Sequence, residues 1–202
     1  ALCKASKDKI VFTKGGVLAD GHMITFSELY DAFQSKGIPS VFEGEYSVRE
    51  LDWNSEFGQG EAYLSYTYSC HAAEVEVDSE TGIVQLTSVV ASHDSGRIVN
   101  PLMAAGQVTG GIAMGYGMAA IEELDSDDIT GVIRNDNFDK YLIPTALDVG
   151  DMKVFFHEEP DAFCPLGSKG LGEPAMEPAA AAIIGAINMA IVDAGAIREM
   201  PA

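Results

Sequence analysis

The chain is poor in cysteine and in basic residues, and each shortage narrows the range of functions. Its three cysteines, Cys3, Cys70 and Cys164, lie far apart and form no Cys-x-x-Cys. That spacing offers neither a disulfide framework nor a zinc or iron–sulfur site, and it suits a reducing cytoplasm. Lysine and arginine total 12 against 31 aspartates and glutamates, a formal net charge of -19, and no basic run is present. A phosphate backbone has nothing to follow here, which argues against nucleic acid as a partner. The first ten residues carry lysines and no apolar stretch long enough for a signal peptide. The initiator methionine is missing too, so the chain reads as a fragment or a processed subunit. Charge is also absent from Pro101 to Ile121. Gln, Thr and Tyr interrupt that run and no Lys or Arg marks a cytoplasmic side, so it reads as a buried helix, not a membrane span.

What is present is a chain of 202 residues, 47% of them hydrophobic, ample for one large domain over 1–202 or two lobes, 1–98 and 99–202. Val11-Phe12, a turn at Lys14-Gly15-Gly16, and a second turn at Asp20-Gly21 predict short strands. Thr25 with Glu28 forms a capping box for a helix that Gly37 and Pro39 end. From Ile38 to Gly60 periodicity is lost, and aromatics mix with acids. This stretch reads as a loop at a substrate entrance or as a surface covered by a partner. Tyr63–Asp78 and Ile83–Val90 predict an antiparallel hairpin, with Glu74, Glu76 and Asp78 on its wet face rather than at a cation site. Asn100-Pro101 starts a helix that runs through several glycines to Glu122-Glu123. Those glycines cost helicity, so another backbone or a flat ligand is expected against the bare face. Gly131–Pro144 predicts a further strand-like region, and Met152–His157 one more strand. The fold class that follows is α+β, a mixed or antiparallel sheet packed by helices.

One stretch gathers chemistry: Ser168-Lys169-Gly170-Leu171-Gly172-Glu173-Pro174. Glycines and a proline surround a single carboxylate, so the backbone can approach a ligand while Glu173 keeps a fixed direction. An uncharged, alanine-rich helix from Pro178 to Ala194 follows and anchors the loop to a core. Glu173 is thereby a candidate general base. The same residues also serve as an acidic turn with no chemistry. His71 beside Cys70, and His157 near Cys164, lack a glycine elbow or an orienting acid and read as core and loop residues.

The order of motifs carries a resemblance. Asp94-Ser95-Gly96 with Asn100-Pro101 is followed by Gly106-Gln107-x-x-Gly110-Gly111-x-x-x-Gly115-x-Gly117 and Glu122-Glu123. Tyr141-x-Ile143-Pro144-Thr145 and Lys169-Gly-x-Gly-Glu173-Pro174 come next. This series resembles the C-terminal part of the molybdopterin-binding domain of the xanthine dehydrogenase and aldehyde oxidase family, the molybdenum hydroxylases, over roughly Tyr68 to the C-terminus. The resemblance implies hydroxylation of an N-heterocycle or an aldehyde with oxygen from water. It implies Glu173 as the base and Gln107 as a hydrogen-bond donor to the molybdenum-molybdopterin cofactor. Gly106, Gly110, Gly111, Gly172 and Lys169 are implied to line the cofactor. The family's upstream Gly-Gly-x-Phe-Gly-Gly loop and its other glutamine loop do not occur here. The pocket is therefore expected to be completed by the remaining molybdopterin-domain segment or subunit, with 2Fe-2S clusters and FAD on other domains or subunits. The alternative is a non-catalytic structural or assembly module that binds partner subunits.

Overall fold

Short β-branched runs punctuated by glycine build the first of two units, which ends at Ser47. The fold is that of a computed structural model describing residues 4–47 and 49–192. Cys3, and the predicted last helical residues Asp193 and Ala194, lie outside the described residues. Strands β1 (Ile10–Thr13), β2 (Gly16–Ala19) and β3 (His22–Thr25) form an antiparallel meander. The β2–β3 turn takes left-handed backbone at Asp20 (φ 52) and Gly21 (φ 82), a conformation glycine tolerates freely. Helix α1 (Phe26–Lys36) opens on the predicted capping box. Glu28 N–H donates to Thr25 Oγ1 at 3.2 Å, and Thr25 N–H donates to Glu28 Oε2 at 2.8 Å. Gly37, at φ 62, closes it.

The second unit holds the remaining elements. Strands β4 (Trp53–Asn54) and β5 (Gln59–Gly60) make a minimal hairpin inside the stretch that looked aperiodic. The long strands β6 (Tyr68–Val77) and β7 (Val84–Asp94) form the expected antiparallel pair, and β8 (Asp151–His157) joins β7 in parallel. The sheet order is β6-β7-β8, a mixed sheet. Helices α2 (Pro101–Tyr116) and α3 (Glu177–Val192) pack on one of its faces. Pro178 is the second residue of α3, in the first turn where its missing N–H costs nothing. The chain divides after Ser47 and not at the expected lobe boundary near Ile98, because β7 and β8 share a sheet and one core.

That core joins Leu86, Val89 and Ala91 of β7 to Val108, Ile112 and Tyr116 of α2 and Ile183 of α3. Tyr116 brings its hydroxyl inside by donating to the Val84 carbonyl at 2.7 Å, as a buried phenol must. Two expectations fail. The uncharged helices are not enclosed on all sides: Leu102 is 84% exposed, Met103 69% and Met189 79%. Gly131–Pro144 does not form a strand. Its pairing stops at one isolated antiparallel bridge, Ile133 to Ser126, around a turn in which Asp127 Oδ1 accepts the Ile129 and Thr130 amides and Arg134 bridges Asp125 and Asp127. Aspartates that satisfy local amides compete with ladder pairing. No helix among the described residues is long and apolar enough to cross a membrane.

Candidate functional site

The glycines of α2 fall into two sets with opposite surroundings. A Cβ on Gly111 would meet the Ala175 carbonyl carbon at 2.7 Å, and one on Gly115 would meet Ala179 Cβ at 2.5 Å. These two glycines admit the start of α3 and the loop before it, so the predicted backbone partner lies on this side. Gly106 and Gly110 lie on the exposed side of α2, with nothing within 4 Å of a Cβ at either position. The helix itself is well begun: Asn100 Oδ1 accepts the Met103 amide at 3.1 Å and Pro101 fills the first position.

Gln107 stands between the open glycines and is exposed. Its Oε1 lies 3.9 Å from where a Cβ on Gly172 would be, so α2 and the Glu173 loop meet at this point. Glu173 itself is exposed, and its carbonyl accepts the Met176 amide at 2.9 Å in the turn that leads into α3. Ala175, fully buried, fixes the far end of that turn. Of the predicted residues, the structure thus brings together Gln107, Gly172 and the Glu173 loop beside the open strip of Gly106 and Gly110. Gly111 serves helix packing.

Lys169 is paired within the chain. Its ammonium meets Asp94 Oδ2 at 2.7 Å, with side-chain exposures of only 8% and 12%. The charge is therefore taken up by a carboxylate at the end of β7. Burial alone would raise the Asp94 carboxyl. Hydrogen bonds from Lys169 and from the Gly96 amide outweigh it, and the group lies below the ordinary range. The backbone repeats the connection: Lys169 N–H donates to Ser95 O at 2.8 Å, and Arg97 N–H donates to Gly167 O at 2.8 Å. Gly96, at φ 63, allows this approach, since a Cβ there would run into the Gly167 carbonyl.

Two pairings carry no signal in the sequence. Asp94 has its partner 75 residues away in the chain. His71 and His93 meet through their Nε2 atoms at 2.7 Å, with His93 only 1% exposed. A lone histidine in each of two strands carries no signal of that meeting. Glu122 and Tyr141, both in the quoted motifs, are also paired, the phenol donating to the carboxylate at 2.7 Å.

At Gly106 and Gly110 the exposed side of α2 carries no side chain, with Gln107 between them and the Glu173 loop beside it. The family model for the molybdopterin cofactor-binding domain matches residues 1–150. The xanthine dehydrogenase molybdenum-binding subunit of Escherichia coli O157:H7 is 41% identical over 123 residues, 61% of this chain and 16% of that protein. Xanthine dehydrogenase 2 of Arabidopsis thaliana is 32% identical over 192 residues, 91% of this chain and 14% of that protein. Among solved structures, quinoline 2-oxidoreductase from Pseudomonas putida 86 superimposes with a TM-score of 0.67 at 31% identity, over 96% of this chain and 24% of that one. The aldehyde oxidoreductase from Desulfovibrio gigas gives 0.66 at 26% identity, over 84% and 18%. The chain therefore spans less than a quarter of any of these relatives. The match over most of its length establishes that this chain belongs to the molybdopterin cofactor-binding domain family.

Proposed function

We propose that the chain is part of a molybdenum hydroxylase that inserts water-derived oxygen into an N-heterocycle or an aldehyde, with Glu173 as general base. The observation that supports this reading is that Gln107 Oε1 lies 3.9 Å from the position a Cβ on Gly172 would take, which brings together two motifs far apart in sequence. When bound, the molybdenum cofactor supplies the redox centre that takes up the electrons removed from the substrate carbon. The protein's own share is narrower. Glu173 accepts a proton from the attacking water-derived group, and the bare strip at Gly106 and Gly110 lets the ligand approach backbone. The Gln107 amide donates a hydrogen bond without adding charge. Iron–sulfur and FAD partners, and a cytoplasmic location, belong to the same proposal.

The test is Glu173→Gln in the complete enzyme at matched molybdenum content. Loss of a general base is worth roughly 10²- to 10⁴-fold in rate, and turnover should fall by that much with cofactor content unchanged. Gln107→Ala should instead lower cofactor retention. Glu177, exposed in the first turn of α3, is the control. Its Gln variant should leave the rate unchanged. Near-normal turnover of Glu173→Gln would refute the base assignment.

A second reading, a non-catalytic assembly module, draws on the exposed Leu102, Met103, Met114 and Met118 of the α2 region. Such residues mark a surface that a partner covers. Elemental analysis separates the two: about one molybdenum per purified complex supports the enzyme, and a stable complex without metal under molybdenum-replete conditions supports the module.

A further inference from the structure

We propose that the buried Asp94–Lys169 pair is a positioning clamp for Glu173, and that this clamp, not a ligand contact, is the function of Lys169. The inference rests on the reading of Glu173 as base. The loop is short, and its glycines bring no side chain to hold it: a Cβ on Gly170 would meet nothing within 4 Å, and one on Gly172 only Gln107 Oε1 at 3.9 Å. A carboxylate carried on such a segment takes its direction from the contacts that hold the segment. One end is Ala175, fully buried against Gly111 of α2. The other is Lys169, held by its side chain on Asp94 at 2.7 Å and by its amide on Ser95 O at 2.8 Å. Between them Leu171 packs on the core, its carbonyl accepts the Ala175 amide at 3.3 Å, and the Glu173 carbonyl accepts the Met176 amide at 2.9 Å.

Charge makes the Lys169 anchor directional. An apolar side chain of similar length could fill the same volume, but it could not fix the height of the loop along β7, because dispersion contacts tolerate sliding where a charge-assisted hydrogen bond does not. The pair joins positions 75 residues apart. It ties the end of β7, next to the buried His93, to the loop that carries the carboxylate. Neither residue touches Glu173 in the described hydrogen bonds, so each acts through the backbone as a positioning residue.

The experiment compares Asp94→Asn, Lys169→Met and the double variant in the complete molybdenum enzyme, each with amide exchange of residues 170–173 measured with and without cofactor. Each single variant leaves one part-buried charge without its counter-charge and should lower both the thermal midpoint and turnover. The double variant removes both charges and should recover the midpoint. Its kcat per molybdenum should stay depressed by about 10- to 100-fold with KM little changed, since displacements near 1 Å cost about that much. Exchange at 170–173 should be faster in both cofactor states. A double variant whose kcat recovers together with its midpoint, or whose loop exchange is unchanged, would overturn the clamp. Adding the double substitution to Glu173→Gln should cost little more rate. Near-normal turnover of Glu173→Gln alone would sink the base reading, whereas unchanged exchange would sink the clamp by itself.

Discussion

His71 and His93 share a single gap. With Nε2 atoms 2.7 Å apart, one ring donates and the other accepts, so the pair is most stable with both rings neutral. Burial, and then the neighbouring His93, push the His71 pKa down to about 4, and burial lowers that of His93 as well. Between the unfolded value of 6.5 and the folded value near 4, the unfolded chain binds the extra proton. The stability due to this pair is therefore complete above pH 6.5 and is lost as pH falls toward 4. Solvent screening of the half-buried His71 ring keeps its share below the roughly 3 kcal/mol that the full span would give. Urea midpoints should drop between pH 7 and pH 5, and His71→Leu should flatten that slope. An equal slope in the variant would show that other groups carry the acid sensitivity.

At the scale of the element, α2 uses glycine for two purposes, and substitution separates them. Gly111→Ala drives a methyl into the Ala175 carbonyl region, 2.7 Å away, and overpacking of this kind costs about 1 to 3 kcal/mol. Gly110→Ala meets open space, so the helix should gain up to about 1 kcal/mol from the lower conformational entropy of the unfolded chain. Thermal unfolding of the two variants of this chain should move in opposite directions. In the complete enzyme Gly110→Ala should lower molybdenum content despite the added stability, because the methyl occupies the strip where the cofactor would lie. Retention of full cofactor content would remove Gly110 from the site.

For the molecule as a whole, the exposed apolar residues of α2, of the helical turn Gly117–Ile121 after it and of α3 set the behaviour in solution. Leu102, Met103, Met114, Met118 and Met189 lie uncovered in a chain that spans less than a fifth of its curated relatives. Large uncovered apolar surface associates, even with a net charge of -19 opposing it. The isolated chain should bind a hydrophobic dye and self-associate more strongly as salt screens the charge. A monomer at high concentration that binds no dye would refute this.

Local chemistry was legible from the residues alone. The Thr25–Glu28 box, the Gly37 stop, the Asn100-Pro101 start and the alternation of β6 fix their elements because each depends on neighbours within a turn or a strand. The ordered glycine and Glu173 motifs likewise pointed to the family before any fold was in hand. Tertiary structure decided what depends on distance. An uncharged helix from Pro101 to Tyr116 has no polar stripe to mark its inner face, so only the approach of Ala175 and Ala179 shows that Gly111 and Gly115 pack while Gly106 and Gly110 stay open. Lys169 illustrates the same limit. In sequence its nearest acid is Glu173, but a lysine side chain pairs with whichever carboxylate the fold delivers, and the β7 strand delivers Asp94 from 75 residues away.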